Sequence, residues 1–328
     1  QTLNRIVTVF TIHNLGYQGI TEKKGLASLG IPDSAFTSEK LEFYGKVNIM
    51  KAGILYSDII TTVSPTYAEE ITTKEFGYGL EGLLSQRRKD LYGILNGIDY
   101  EVYSPEVDPH LKARYSYDTL RGKAICRREL LQETGVKADG VPLVSYIGRL
   151  VSQKGLDILM PVLIKALQWG VPFFVLGEGE HLIEEKLRDI ARKFSGRVFL
   201  KIGFDDVLAR KLYAGSDIVV VPSRYEPCGL VQMIALRYGT IPVVRKTGGL
   251  SDTVVDYNPF TREGYGFVFE EYSESALWEA LKRAFSVFTH KTNWRAMIKR
   301  AMVQDFSWAR SVERYLEVYR IATKKKRP

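Results

Sequence analysis

The sequence predicts a doubly wound α/β fold in two domains, and three observations carry that prediction. Short apolar, β-branched runs alternate with helix-length amphipathic stretches, the pattern of parallel sheets covered on both faces. The chain has 328 residues, more than the ~150 that one domain typically holds. Between residues 103 and 110, Pro105, Pro109 and several polar side chains interrupt the pattern, which makes this the best linker.

Before the linker, strands are expected at residues 6–12, 59–63 and 91–95, each rich in β-branched or apolar side chains. Doubly wound nucleotide domains have about five strands or more. This sequence is therefore expected to cover only part of its N-terminal domain, residues 1–104, with a targeting segment possible in what precedes it. After the linker, strands are expected at 143–147, 172–176, 198–202, 218–221, 241–244 and 266–269. Amphipathic patterns predict helices between them at 119–133, 156–169, 181–193, 207–214 and 230–238. These complete a second domain over residues 105–305. Helices at 272–288 and 307–323 have no strand after them. The last segment, 306–328, is expected to pack back toward the N-terminal domain.

Composition excludes several classes. Lys and Arg number 46 against 38 Asp and Glu, a net charge of +8, with 45% hydrophobic and 26% charged residues. Those proportions belong to a globular chain, not a disordered or fibrous one. The dense basic run at 324–327 reads as a solvated tail. With no zinc-finger spacing or aromatic RNA-binding signature beside it, a nucleic-acid partner is not expected. No apolar run approaches the ~18 residues needed to span a bilayer, so no membrane partner is expected either. No signal peptide opens the chain, and two cysteines are too few for a disulfide framework, which points to a reducing cytoplasm.

Three loops in the second domain suit a ligand, each following a predicted strand. Gly148-Arg149 and Lys154 place two cations in one βα loop, which suits a diphosphate. Glu226 lies between Tyr225 and Pro227, ahead of Cys228-Gly229-Leu230, where a helix begins. Thr247-Gly248-Gly249 precedes another helix, and its backbone N–H groups suit phosphate or carboxylate. Cys228 reads as a small packing residue, since no histidine near it in sequence activates it. His13 and Asn96 sit at strand ends of the first domain. The four histidines lack metal-ligand spacing, there is no Asp-x-Asp segment, and no Walker A loop. Gly177-Glu178-Gly179 starts like a dinucleotide fingerprint but lacks its third glycine. No metal and no cofactor are expected. A bound diphosphate then relies on Arg149 and Lys154.

In order along the chain, these segments resemble the bacterial glycogen synthase and starch synthase family. The resemblance is carried by Thr11-Ile12-His13-Asn14-Leu15-Gly16-Tyr17-Gln18-Gly19, Lys51-Ala52-Gly53-Ile54, Asn96-Gly97-Ile98-Asp99, and Gly148-Arg149-Leu150 with Gln153-Lys154-Gly155. It continues in Glu226-Pro227-Cys228-Gly229-Leu230 and Thr247-Gly248-Gly249-Leu250. It implies a GT-B fold, two Rossmann-like domains with parallel sheets facing across a cleft. It implies metal-independent transfer of glucose from ADP-glucose to the nonreducing end of an α-1,4-glucan, with retention of configuration. ADP-glucose and the glucan, glycogen or starch, are substrates and partners.

The resemblance also assigns roles. Arg149 and Lys154 bind the donor diphosphate, Glu226 lies by the anomeric carbon, and His13 approaches the sugar from the other domain. Asn96 lines the cleft and Phe204 lies against the adenine. Backbone amides at Cys228, Gly229 and Leu230 hold sugar hydroxyls, and Thr247, Gly248 and Gly249 face phosphate. The family's N-terminal Lys-x-Gly-Gly-Leu segment is absent from this sequence, and Lys246-Thr247-Gly248-Gly249-Leu250 matches the later motif instead. Alternatives are a GT-B transferase using UDP-glucose or another acceptor, and a noncatalytic glucan-binding fragment. The broken fingerprint counts against a dinucleotide oxidoreductase.

Overall fold

The structure is a computed structural model that describes residues 6–325. Residues 1–5, and the end of the basic run at 324–327, lie outside the described residues. The chain divides into two compact units, one formed by residues 1–96 with 309–328, the other by 97–308.

In the first unit, β1 (Val9–Ile12) heads a parallel sheet. A three-stranded antiparallel sheet follows, made of β2 (Ile20–Thr21), β3 (Glu42–Phe43) and β4 (Lys46–Asn48). β5 (Ile59–Thr62) and β6 (Leu91–Gly93) complete the parallel sheet in the order β1-β5-β6, with Val9 opposite Ile59 and Ile60 opposite Leu91. The small antiparallel sheet was not expected, because its strands of two or three residues are too short to show a period. Lys51 anchors it, donating to the carbonyls of Ser38 (2.6 Å) and Glu42 (2.7 Å). Asn48 and Ser64 cap the helices Ile49–Tyr56 and Pro65–Glu70 through the amides of Lys51 and Tyr67. From the C-terminal helix Trp308–Lys325, Val318 and Ala322 pack on Ile59 and Ile94 of this unit.

The second unit is a six-stranded parallel sheet. β7 (Val144–Ile147), β8 (Phe173–Gly177), β9 (Val198–Ile202), β10 (Ile218–Val221), β11 (Ile241–Arg245) and β12 (Phe267–Phe269) run in the order β12-β11-β10-β7-β8-β9. The inner strands β8 and β10 are buried along their whole length, and their apolar runs need that cover. At one edge, β9 leaves Lys201 exposed. The helices Leu156–Gln168 and Glu274–Thr289 pack together, as do Arg121–Thr134 and Asp206–Gly215. Beneath the latter pair Leu130, Leu143, Phe174, Leu176 and Leu212 form one cluster. A helix over Lys291–Met302 was not anticipated. It follows the preceding helix after a single residue, His290, so no loop punctuates the sequence there.

The division between units falls at 96/97 and 308/309, not at the linker expected near 104/105. Residues 102–115 are tied into the second unit. The Arg210 guanidinium donates to the Val102 carbonyl (2.6 Å), Arg237 donates to Ser104 Oγ (2.9 Å), and the buried Asp108 carboxylate accepts from Tyr238. The prolines there stiffen a docked segment. At the crossing itself Ile98 bridges Ser307, and the Ile98 amide donates to the Phe306 carbonyl (2.8 Å).

Candidate active site

Strand order in the second unit reverses between β7 and β10: the chain steps from β7 out to β9, then returns to β10 on the other side. Open α/β sheets bind ligands outside the carboxyl ends of their strands at such a switch point. The loops after β7 and β10 are those that carry Arg149, Lys154 and Glu226.

These loops are bonded to each other. Lys154 Nζ lies 2.5 Å from Glu226 Oε2, and Ser223 Oγ donates to the same oxygen at 2.9 Å. The Glu226 side chain is 8% exposed and that of Lys154 20%, so the pair is largely shielded from water. Gln153 joins the loops twice, its carbonyl accepting from the Arg224 amide (2.9 Å) and its side chain donating to the Tyr225 carbonyl (3.2 Å). Gly155 allows the approach. Its φ is +74°, and an added Cβ would stand 2.0 Å from the Pro222 carbonyl oxygen.

Arg149 is exposed, and its guanidinium reaches Gln153 Oε1 at 3.2 Å. The phenol of Tyr146 fixes its backbone, donating to the Arg149 carbonyl at 2.7 Å. Burial, reinforced by the Glu226 carboxylate, pushes the Tyr146 phenol far up, so it stays a neutral donor. Beside Arg149 a cavity of about 300 Å³ opens at the ends of β7, β8 and β9, lined also by Gly148, Tyr103, Phe204 and Asp205. Phe204 is 86% exposed, free to stack a flat ring. The glycine of the apparent fingerprint serves packing here: a Cβ at Gly177 would stand 1.9 Å from the Gly148 carbonyl oxygen.

Cys228 is buried, a free thiol, and Gly229-Leu230 leads into the helix Val231–Arg237. Gln232, 0% exposed, holds this turn, donating to the carbonyls of Cys228 (3.0 Å) and Gly229 (2.7 Å) and to Thr253 Oγ1 (3.0 Å). Thr247 and Gly248 open the short helix Gly248–Thr253. The Gly249 amide donates to the Glu226 carbonyl at 3.0 Å. That N–H therefore braces the Glu226 segment, where the sequence pointed to a phosphate contact. In the first unit, His13 follows β1 and is exposed, and Asn96 closes the segment after β6 with a side-chain oxygen that has no hydrogen-bond partner among the described residues.

The structure thus joins Lys154 to Glu226, sets Arg149 and Phe204 on one cavity, and ties Gly249 to Glu226. Ser223, Gln232 and Tyr146 were not singled out from the sequence. The signal for Gln232 was a lone amide in an otherwise apolar helix start. For Ser223 it was a hydroxyl three residues before a carboxylate. Replacing Ser223 by Ala is expected to leave nucleotide affinity within twofold and to lower kcat about 10- to 30-fold, the worth of one hydrogen bond to a charged group. Steady-state kinetics measure both.

Residues 1–86 match the family model described as starch synthase catalytic domain, and residues 127–299 match glycosyl transferases group 1. The chain is 47% identical over 323 residues to a glycogen synthase of Fervidobacterium nodosum, covering 98% of this chain and 67% of that protein. It is 48% identical over 326 residues to a glycogen synthase of Thermosipho africanus, covering 99% and 67%. The solved catalytic domain of starch synthase IV from Arabidopsis thaliana, bound to ADP and acarbose, superposes with a TM-score of 0.92 at 37% identity, over 96% of this chain and 67% of that one. On these matches, together with its two parallel-sheeted α/β units, the chain belongs to the glycogen synthase and starch synthase family of GT-B hexosyltransferases, whose chemistry is glucosyl transfer in glycogen or starch synthesis.

Proposed function

We propose that this protein transfers glucose from ADP-glucose to the nonreducing end of an α-1,4-glucan, with retention of configuration and without a metal or cofactor. The observation that carries the reading is the Lys154–Glu226–Ser223 cluster at the switch point, next to the cavity shared by Arg149 and Phe204. Glycosyl transfer from a nucleotide donor builds positive charge on the sugar and negative charge on the departing diphosphate. Arg149 and Lys154 are preorganised cations for that diphosphate and take the place of a divalent ion. Phe204 stacks the adenine. The buried carboxylate of Glu226, held by two donors to one oxygen, faces the charge that grows at the anomeric carbon. The backbone at Cys228, Gly229 and Leu230 holds sugar hydroxyls, and the turn at Thr247-Gly248 stands near phosphate. By the family resemblance His13 and Asn96 also serve the sugar. That the relative bound to ADP is 37% identical supports adenine over uracil. The two buried free thiols suit the reducing cytoplasm.

Incubation with ADP-glucose labelled in the sugar and a maltooligosaccharide tests the proposal. The expected product is an acceptor longer by one α-linked unit at its nonreducing end, formed equally with a metal chelator present. A β-linked product, or transfer from UDP-glucose at an equal rate, overturns it.

A further inference from the structure

A second cavity, of about 580 Å³, lies at the other end of the six-stranded sheet. Gly140 and Asp217, which precede β7 and β10, line it, so it opens at the amino ends of the strands, away from the loops that hold Arg149 and Glu226. The helices Arg121–Thr134 and Lys291–Met302 supply its walls.

Its charge is one-sided. Arg121, Lys123, Arg127, Lys291 and Arg295 face a single carboxylate, that of Asp217. Asp217 is already engaged, paired with Arg127 at 3.2 Å and accepting from the Leu143 amide at 2.8 Å. Lys123 is engaged too, donating to Thr240 Oγ1 (2.8 Å) among carbonyls that end two helices, and burial pulls its pKa down to about 8. Arg121, Lys291 and Arg295 have no carboxylate partner among the described residues. Lys291 Nζ lies over the Phe288 ring, 3.3 Å from its centroid, and desolvation lowers its pKa against the opposing pull of Asp217.

The cavity also has an aromatic wall with an unmet donor. Phe288 and Trp294 meet edge to face, with centroids 5.3 Å apart. Trp294 is 4% exposed, and its indole N–H has no acceptor among the described residues. Buried donors are ordinarily satisfied, so this one marks a place for a hydroxyl or an anion oxygen.

We propose that this cavity binds a small phosphorylated metabolite, with the phosphate on Arg121, Lys291 and Arg295 and the uncharged body against the Trp294 side of the aromatic wall. Three cations with no carboxylate of their own match a phosphate dianion, and guanidinium forks suit its oxygens. The volume falls in the range of small-molecule sites, about 300–1,000 Å³, and exceeds what a bare ion fills.

Calorimetric titration of the full chain, with the donor site saturated by ADP, tests this with fructose 6-phosphate, inorganic phosphate and free fructose as probes. The expected result is one saturable site for fructose 6-phosphate, at least tenfold tighter than for phosphate, and no heat from fructose. Lys291→Ala combined with Arg295→Ala should weaken it more than tenfold, and Arg121→Glu likewise. Lys154→Ala should leave it within twofold. The Arg121, Lys291 and Arg295 side chains lie at the cavity wall, and melting curves check that each variant folds, Lys154→Ala included. Absence of a saturable site, affinity no greater than for phosphate, or loss in Lys154→Ala with the cavity variants unaffected overturns the proposal.

Discussion

Replacing Lys154 with Ala lowers kcat for glucosyl transfer by about 10²- to 10³-fold, the usual loss when one preorganised charge is removed from a developing anion. The substitution acts at two places. On the proposed mechanism it withdraws a cation from the departing diphosphate, and it takes from Glu226 the closer of its two donors among the described residues, leaving Ser223 Oγ at 2.9 Å. A carboxylate whose side chain is 8% exposed then sits with one partner. The stability cost is about 2 kcal/mol, the worth of a hydrogen bond to a charged group, which lowers Tm by roughly 3 °C in a chain of this size. Turnover therefore falls much further than folding. Arg at this position does not restore the rate, because its planar fork is longer than the ammonium that fits 2.5 Å from Glu226. Turnover within threefold of the parent in a folded Lys154→Ala sample would remove Lys154 from the chemistry.

Gly155→Ala is the second large effect, and it arises from backbone geometry. The residue holds φ at +74°, which costs a side-chain-bearing residue about 1–2 kcal/mol. The new Cβ would also stand 2.0 Å from the carbonyl oxygen of Pro222, an atom that cannot rotate away. Relief requires the loop after β7 to part from the loop after β10, which pulls Lys154 off Glu226. The expected result is a Tm lowered by about 6–10 °C and ADP affinity reduced more than tenfold by calorimetry. Gly170→Ala is the control, since it shares a positive φ (+81°) but its Cβ would meet nothing within 4 Å. It should lose stability only. Equal ADP affinity in Gly155→Ala and the parent would show that contact between the two loops is not what forms the site.

Much of this was legible in the sequence, for a physical reason. Parallel strands buried on both faces must be apolar throughout, so Ile218-Val219-Val220-Val221 announces itself. Helices of a dozen residues show their period, as His181–Lys193 does. What stayed hidden was short or depended on partners distant in sequence. β2, with two residues, has no period to read. The segment around Asp108 looked like a linker because its prolines and polar groups break the pattern. The polar groups are instead buried against Arg210, Arg237 and Tyr238, more than 90 residues away. At the site, the loops carrying Arg149, Lys154 and Glu226 were visible as charge and glycine at strand ends. That Lys154 and Glu226 touch across 72 residues was not, because strand order alone brings β7 beside β10. The Gly249 amide shows the reverse limit: a Gly-Gly turn before a helix suggests an anion, yet its N–H is taken by the Glu226 carbonyl.

The central claim is that the loops after β7, β9 and β10 form a site for the diphosphate and base of an adenine nucleotide sugar. Titrating the folded chain with ADP and with UDP, alongside its Arg149→Ala variant, tests it most directly. The account predicts saturable ADP binding at least tenfold tighter than UDP binding, weakened at least tenfold by Arg149→Ala, about 1.4 kcal/mol or more. Equal affinity for the two nucleotides, or ADP affinity unchanged in Arg149→Ala, would contradict it.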